Sequence, residues 1–228
     1  MKKKLTKKDR GIIIAMVLGD GHFSKTYSYT RGKTVALEIG HSIKQLEYCK
    51  YKSELLGKTL GVDPPKIHFR KVKCKGKEYE TCRFSKGSVF FYNIRKKMYI
   101  EGRKIISMDI LNYLTPEGLA IWYMDDGSCR FRISEITNEP IDIDLRIATC
   151  NFSFDEHKII VEYFKKVWDI DFKISYRKKL NLYDIKANKK NALKFIELIK
   201  PYVISSMMYK CLFKSTSAEH PVKGEDIV

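Results

Sequence analysis

The chain has 228 residues, enough to bury a hydrophobic core as one large domain or as two domains of about 100 residues each. Its 44 Lys and Arg against 27 Asp and Glu give a formal net charge of +17, which argues for a polyanionic partner, either nucleic acid or an anionic membrane surface. The longest apolar run near the N-terminus, Ile12 to Leu18, is far shorter than the roughly 20 residues of a membrane-spanning helix, so no membrane segment is expected.

The first residues resemble a signal peptide only superficially. Met1 to Lys4 and the following apolar run have its order, but Asp20 and His22 interrupt the run and no small-residue cleavage site follows. We therefore expect an intracellular protein without a signal peptide, in a prokaryotic cytoplasm or an organelle matrix. The six cysteines include no C-x-x-C pair and no histidine at zinc-finger spacing, so no zinc site is expected.

The first predicted helix follows Thr6 as N-cap and ends in Gly19-Asp20-Gly21. A carboxylate there is costly to desolvate and lies at the negative end of the helix dipole, so a cation is expected to meet it. Glycine directly after the acid predicts a helix stop in the left-handed conformation. Ala15 and Gly19 share one helix face, which allows another backbone to approach closely.

Hairpins and helices alternate through the rest of the first half. Residues 22–40 alternate between apolar and polar and predict a hairpin, and residues 42–60 have helical spacing up to Gly61. A second hairpin is predicted over residues 66–84, and a helix over residues 89–97 closes the half.

A second apolar helix, from Gly118 to Asp126, again ends in an acid followed by glycine, here Gly127. A carboxylate at the C-terminal end of an apolar helix is unfavourable, and the sequence has this arrangement twice. We therefore expect the two carboxylates to come together around a cation. The elements predicted after this helix are a hairpin over 129–147, a helix over 153–168, a hairpin over 170–187, a helix over 191–199 and a helical turn over 207–211.

Each half therefore has the predicted order α-β-β-α-β-β-α, and the fold class is α+β. We place the first half at residues 5–98, a linker at 99–114, the second half at 115–214 and a tail at 215–228. The duplication is one of topology, because the two halves share no detectable sequence beyond the helix pattern.

The pattern of these two helices resembles that of the LAGLIDADG homing endonucleases, in the single-chain form that carries both motifs. The residues that carry the resemblance are Ile13, Ala15 and Gly19-Asp20-Gly21 in the first helix, and Leu119, Ala120 and Asp125-Asp126-Gly127 in the second. Leu114-Thr115-Pro116 and Met207-Met208-Tyr209-Lys210 match flanking segments, and the likeness covers about residues 8–214. It is closest to the mitochondrial intron-encoded members.

This resemblance implies two pseudo-symmetric halves, each with a curved antiparallel sheet, and motif helices packed at their interface. It implies that Asp20 and Asp126 hold a divalent metal, aided by the backbone carbonyls of Gly19 and Asp125. Mg²⁺ suits such a site because it needs only one or two carboxylates beside waters and phosphate oxygens. Asp125 stands where the family has a small residue and is a second candidate for the catalytic acid, although alignment on the following glycine selects Asp126.

The resemblance also implies a lysine near each cleavage point. Lys210 matches the lysine implied for the second half. The lysine implied for the first half corresponds to Arg103 or Lys104. We prefer Lys104 as the catalytic residue, because lysine can be tuned by burial and arginine stays charged.

The polar sheet faces are implied to lie on DNA. The predicted DNA-binding residues are Lys25, Lys33, Arg70, Lys71, Lys73, Lys75 and Arg83 in the first half, and Arg130, Arg132, Arg146, Lys173, Arg177 and Lys186 in the second.

The predicted function is a monomeric endonuclease of intron homing, which cuts both strands of double-stranded DNA at a long asymmetric site by metal-dependent hydrolysis. The alternative is an RNA-splicing maturase on the same scaffold, with its host intron RNA as partner. A DNA-binding regulator without catalysis would explain the charge but leave the paired acids without a role.

Overall fold

The computed structural model describes residues 4–25, 27–29, 32–74, 76–134, 137 and 140–211. Lys75, the side chain of Arg132 and the predicted tail 215–228 lie outside the described part.

The first half has the predicted element order, except that the first arm of its first hairpin is divided into two short strands, which both pair with the second arm. Its elements are α1 (Lys7–Leu18), β1 (His22–Phe23), β2 (Tyr27–Tyr29), β3 (Gly32–Ser42), α2 (Leu46–Leu60), β4 (His68–Cys74), β5 (Lys77–Ser88) and α3 (Phe90–Met98). The segment predicted as a linker carries β6 (Tyr99–Ile100), β7 (Arg103–Lys104) and α4 (Met108–Leu111). It is packed into the molecule, since Ile106, Ile110 and Leu111 are buried.

The second half repeats the order. Its elements are α5 (Pro116–Asp126), β8 (Gly127–Ile133), β9 (Pro140–Ile147), α6 (Phe154–Trp168), β10 (Phe172–Arg177), β11 (Leu182–Ala187) and α7 (Lys189–Ile199), followed by 3-10 turns at Lys200–Tyr202 and Ser205–Lys210. One sheet has the order β1-β3-β5-β4 with β2 on β3, and the other has the order β10-β11-β9-β8. All the pairs are antiparallel, so the α+β prediction is confirmed.

The local start and stop signals act as the sequence indicates. Thr6 and Ser153 each form a capping box, with Asp9 and Glu156 respectively. Gly61 ends α2 with a left-handed φ of 69°.

Helices α1 and α5 pack against each other at the centre of the molecule. Every residue of α1 from Gly11 to Leu18 is buried, because α5 covers one side of the helix and its own sheet and helices cover the other. The approach is close, since a methyl group added to Gly118 would lie 3.6 Å from Cβ of Ala15. The motif helices therefore form the interface between the halves.

The predicted left-handed stops at Gly21 and Gly127 are wrong. Neither glycine is among the described residues with positive φ, and Gly127 has an extended backbone with φ −77°. Both are glycines because of close packing: a Cβ would lie 2.4 Å from the Met16 carbonyl oxygen at Gly21, and 2.2 Å from the Tyr123 ring at Gly127.

Candidate metal centre and basic sheet faces

The ends of the two motif helices bring Asp20 and Asp126 to one open cavity. Both residues line it together with Lys104, and its volume is about 370 Å³. The Asp20 side chain keeps 42% of its surface exposed, so it is accessible to a ligand. Three of the four predicted catalytic residues, Asp20, Asp126 and Lys104, thus share one site.

Lys104 and Lys210 occupy equivalent places, one at the end of each motif helix. The Lys104 ammonium lies 3.3 Å from the carbonyl oxygen of Gly19, and Lys210 donates to the carbonyl oxygens of Met124 and Asp125 at 2.7 Å each. Cations are favourable there because the last carbonyls of a helix have no intrahelical partner. Burial lowers the pKa of both lysines.

Arg103 points away from this site. Its guanidinium donates at 2.9 Å to the carboxylate of Glu156, which is on α6. Of the two adjacent cations, Lys104 is the one at the end of α1. The carbonyls of Gly19 and Asp125, which were predicted as metal ligands, accept hydrogen bonds from lysines here, and their role toward a metal stays a prediction.

The acids of the site repel one another. Burial, followed by the charges of Asp125 and Asp20, raises the pKa of Asp126 to about 7. Burial and Asp125 likewise raise the pKa of Asp20. Carboxylates held together in this way favour a neutralising cation, and a set of hard oxygen donors fits Mg²⁺ or a similar divalent ion.

Two polar residues of the site are absent from the sequence-based prediction. The buried Lys52 ammonium lies 2.7 Å from both carboxylate oxygens of Asp125, and the buried ring of His41 lies 3.4 Å from an Asp20 oxygen. A signal for each is present in the sequence. Lys52 falls on the apolar stripe of α2 between Cys49 and Leu56, and His41 continues the core-facing alternation of β3.

In the second half, the predicted cations whose side chains are described share the sheet face opposite the core. The strand register pairs Arg146 with Lys186 and Lys186 with Lys173, while the alternate residues Leu145 and Ile185 are buried. Arg130, Arg146 and Arg177 line one groove of about 610 Å³ on this face, together with Lys178, Lys179, Asp144 and Asp184.

In the first half, the predicted cations divide between two faces. Arg83 and Arg70 alternate with the buried Cys82 and so lie on the face away from the core. Lys71 and Lys73 follow Arg70 in β4 and lie on the opposite face of the sheet, where the register pairs them with Glu80 and Glu78.

The remaining first-half cations lie near the start of the sheet. Lys33 of β3 approaches the Tyr92 hydroxyl of α3 at 3.4 Å, on the helix side of the sheet. Lys25 is exposed between β1 and β2. The roles of all these residues toward DNA stay predictions.

Comparisons with known proteins agree on one family. The model described as the LAGLIDADG DNA endonuclease family matches residues 10–195. Protein RecA of Mycolicibacterium flavescens is 27% identical over 215 residues, which are 92% of this chain and 48% of that protein. Cytochrome b mRNA maturase bI2 of Debaryomyces hansenii is 26% identical over 212 residues, which are 91% of this chain and 75% of that protein. The chain spans about half the length of the RecA relatives it matches.

One solved structure is similar over nearly the whole chain. The homing endonuclease I-WcaI bound to its DNA recognition sequence matches with a TM-score of 0.72 and 25% identity, over 93% of this chain and 89% of that chain. Within the described part of the chain, no helix is both long and apolar enough to cross a membrane.

Proposed function

The chain belongs to the LAGLIDADG DNA endonuclease family, and from that premise we propose that it is a site-specific endonuclease of intron homing, which makes a double-strand break at a long asymmetric target. The observation that carries the proposal is the pairing of Asp20 with Asp126 in one open cavity, with one half-buried lysine at the end of each motif helix. Two strands require two centres, and this arrangement supplies an acid and a lysine for each.

In this proposal, Asp20 and Asp126 hold the divalent cation, with Mg²⁺ as the natural ion. A bound Mg²⁺ supplies charge stabilisation at the phosphate and activation of water. The ammonium groups of Lys104 and Lys210 stabilise negative charge beside the scissile phosphates. Their lowered pKa values also make proton transfer at Nζ easier than in an exposed lysine.

The outward sheet faces form the DNA-binding surface, and one chain supplies both halves. The outward face of the second half holds Asp144, whose side chain is 43% exposed, among its cations, whereas the outward face around Arg70 and Arg83 in the first half differs in sequence. Arginine suits guanine edges and a carboxylate can accept from cytosine N4, so unlike faces read unlike half-sites. The active form is therefore a monomer on non-palindromic DNA.

The test is a cleavage assay on a duplex that joins the two sequences flanking the intron that contains the protein's reading frame. A double-strand break that requires Mg²⁺ and disappears with chelator supports the proposal. Intact DNA at saturating protein and Mg²⁺, with binding demonstrated on the same duplex, contradicts it.

The two faces of β4 provide a matched test of the DNA-binding surface. Arg70→Ala should weaken DNA binding and reduce the slope of log affinity against log salt by about 0.9 for one lost phosphate contact. Lys71→Ala should leave that slope unchanged, because its side chain lies on the opposite face and pairs with Glu78 at 3.2 Å. Fluorescence anisotropy over a salt series measures both, and equal effects of the two variants would contradict the assignment of faces.

The raised pKa of Asp126 predicts a pH-dependent stability of the metal-free protein. An acid whose pKa is raised by folding binds its proton more tightly in the folded state, so its contribution to stability is greatest at low pH and is lost as pH rises toward about 7. Relative to Asp126→Asn, the free energy of unfolding of the wild type should therefore fall between about pH 4 and pH 7. Added Mg²⁺ should reverse this loss at pH 7. Denaturant titrations across pH measure the difference, and a difference that rises with pH would exclude the mechanism.

A maturase is the second candidate, favoured by the similarity to cytochrome b mRNA maturase bI2 of two yeasts. Such a protein would bind intron RNA and promote splicing, with or without DNA cleavage. Asp20→Asn separates the candidates, since a splicing role that needs no phosphodiester hydrolysis by the protein survives the substitution.

A further inference from the structure

The ion pair of Lys52 and Asp125 joins the two halves inside the protein. The Lys52 and Asp125 side chains both have 0% of their surface exposed. Two of the three ammonium protons can be donated to the carboxylate oxygens at 2.7 Å each, and the third faces Nε2 of His41 at 3.3 Å. Lys52 also lies over the Tyr48 ring, 4.8 Å from its centroid. The ammonium is therefore fully coordinated.

The same acid belongs to a group with the dimensions of a metal site. Asp20, His41 and Asp125 each offer a ligand atom, and these atoms all lie within 4.8 Å of one another. Lys52 contacts two of the three, and the backbone N–H of Asp20 donates to the Asp125 carboxylate at 3.1 Å. A positive charge thus already lies where a divalent cation would otherwise bind this group.

The arrangement also orients His41 toward the predicted metal ligand. A lysine ammonium has only donors, so Nε2 of His41 accepts from Lys52 at 3.3 Å. A neutral ring that accepts from Lys52 at Nε2 carries its proton on Nδ1, which faces the Asp20 carboxylate at 3.4 Å.

We propose that the Lys52 ammonium is a built-in cation of the active centre, which occupies the position of a divalent ion among Asp20, His41 and Asp125. Asp125 is then a counter-ion for lysine and contributes no side-chain ligand to metal. Through His41, Lys52 is also a positioning residue for Asp20. The inference deepens the proposed function, because it concerns the same centre, and it assigns the acid that stands where the family has a small residue.

The centre is asymmetric as a result. The position in the first motif that corresponds to Asp125 is Gly19, which has no side chain, so only the second motif supplies a buried acid at this position, and its lysine comes from α2 of the first half. A Cβ on Gly19 would lie 2.1 Å from an Asp125 oxygen, which shows that the carboxylate fills the space left by that glycine.

The test is to remove the ammonium and count metal ions. Lys52→Met keeps the length of the side chain and removes its charge, leaving three ligands and no cation. The variant should bind one more Mn²⁺ per chain than the wild type, measured by loss of the free Mn²⁺ signal in electron paramagnetic resonance. Its Tm should also rise on addition of Mn²⁺ by several degrees more than that of the wild type, since the ion replaces the missing counter-ion of a buried acid.

Lys50→Met is the matched control, because Lys50 is exposed on the same helix. It should bind as many Mn²⁺ ions as the wild type and show the wild-type rise in Tm. A folded Lys52→Met variant with the wild-type number of Mn²⁺ ions would overturn the proposal and leave the pair a structural contact between the halves.

A second variant covers the case in which Lys52→Met does not fold. Lys52→Met/Asp125→Asn removes both buried charges and should bind the wild-type number of Mn²⁺ ions. The loss of one ion in this variant would identify the Asp125 carboxylate as a wild-type ligand and contradict the proposal. Neither measurement uses cleavage, so both can be read even if the protein is not an endonuclease.

Discussion

Asp20→Asn and Asp126→Asn should each reduce double-strand cleavage by at least about 10²–10³-fold, the range for removal of one preorganised electrostatic group from an active site. Each substitution removes half of the pair of acids that lines the cavity beside Lys104. Affinity for the target duplex should change little, because the positive charges of the sheet faces and not these acids attract the phosphates.

Single-turnover cleavage and fluorescence anisotropy on the same duplex measure the two effects. Asp63→Asn is the control, since Asp63 is an exposed acid in the loop after α2. It should cut and bind like the wild type. If Asp20→Asn or Asp126→Asn cuts both strands at the wild-type rate, the assignment of that acid is incorrect.

Gly19→Ala should destabilise the protein by about 1–3 kcal/mol or more, the usual cost of forcing extra atoms into a packed interior. The added methyl would lie 2.1 Å from an oxygen of Asp125 and 2.5 Å from its Cβ. Asp125 has little freedom to move aside because both of its oxygens are bound to Lys52. The strain therefore falls on the contact between α1 and α5.

Urea denaturation measures this loss, with Gly87→Ala as the matched control. Gly87 lies in β5, where a Cβ would meet no atom within 4 Å. Gly87→Ala should therefore change the free energy of unfolding much less than Gly19→Ala does. Equal stabilities for the two variants would contradict the close approach at the motif helices.

Much of the fold follows from local features of the sequence. The capping boxes at Thr6 and Ser153, the glycine stop at Gly61 and the apolar alternation through Val35, Leu37 and Ile39 each act within a few residues along the chain. The repeated helix that ends in an acid and a glycine is also a local pattern, and it is enough to indicate the family, which the family match confirms.

The sheet face of each strand cation also follows from the sequence. Neighbouring residues of a strand point to opposite sides, so Arg70 and Lys71 could not both lie on the same sheet face, while the role of each toward DNA stays a prediction. A count of cations along a strand overstates the charge that any one face presents.

Only the tertiary structure decided how the centre is assembled. Lys52 meets Asp125 across 73 residues of sequence, Lys104 reaches the Gly19 carbonyl across 85, and Arg103 turns instead to Glu156. The reason for glycine at positions 21 and 127 also lies in packing and not in φ. Sequence patterns report backbone preferences over one or two turns, whereas the pairing of a buried charge is set by whichever distant side chain the packed helices bring within hydrogen-bond reach.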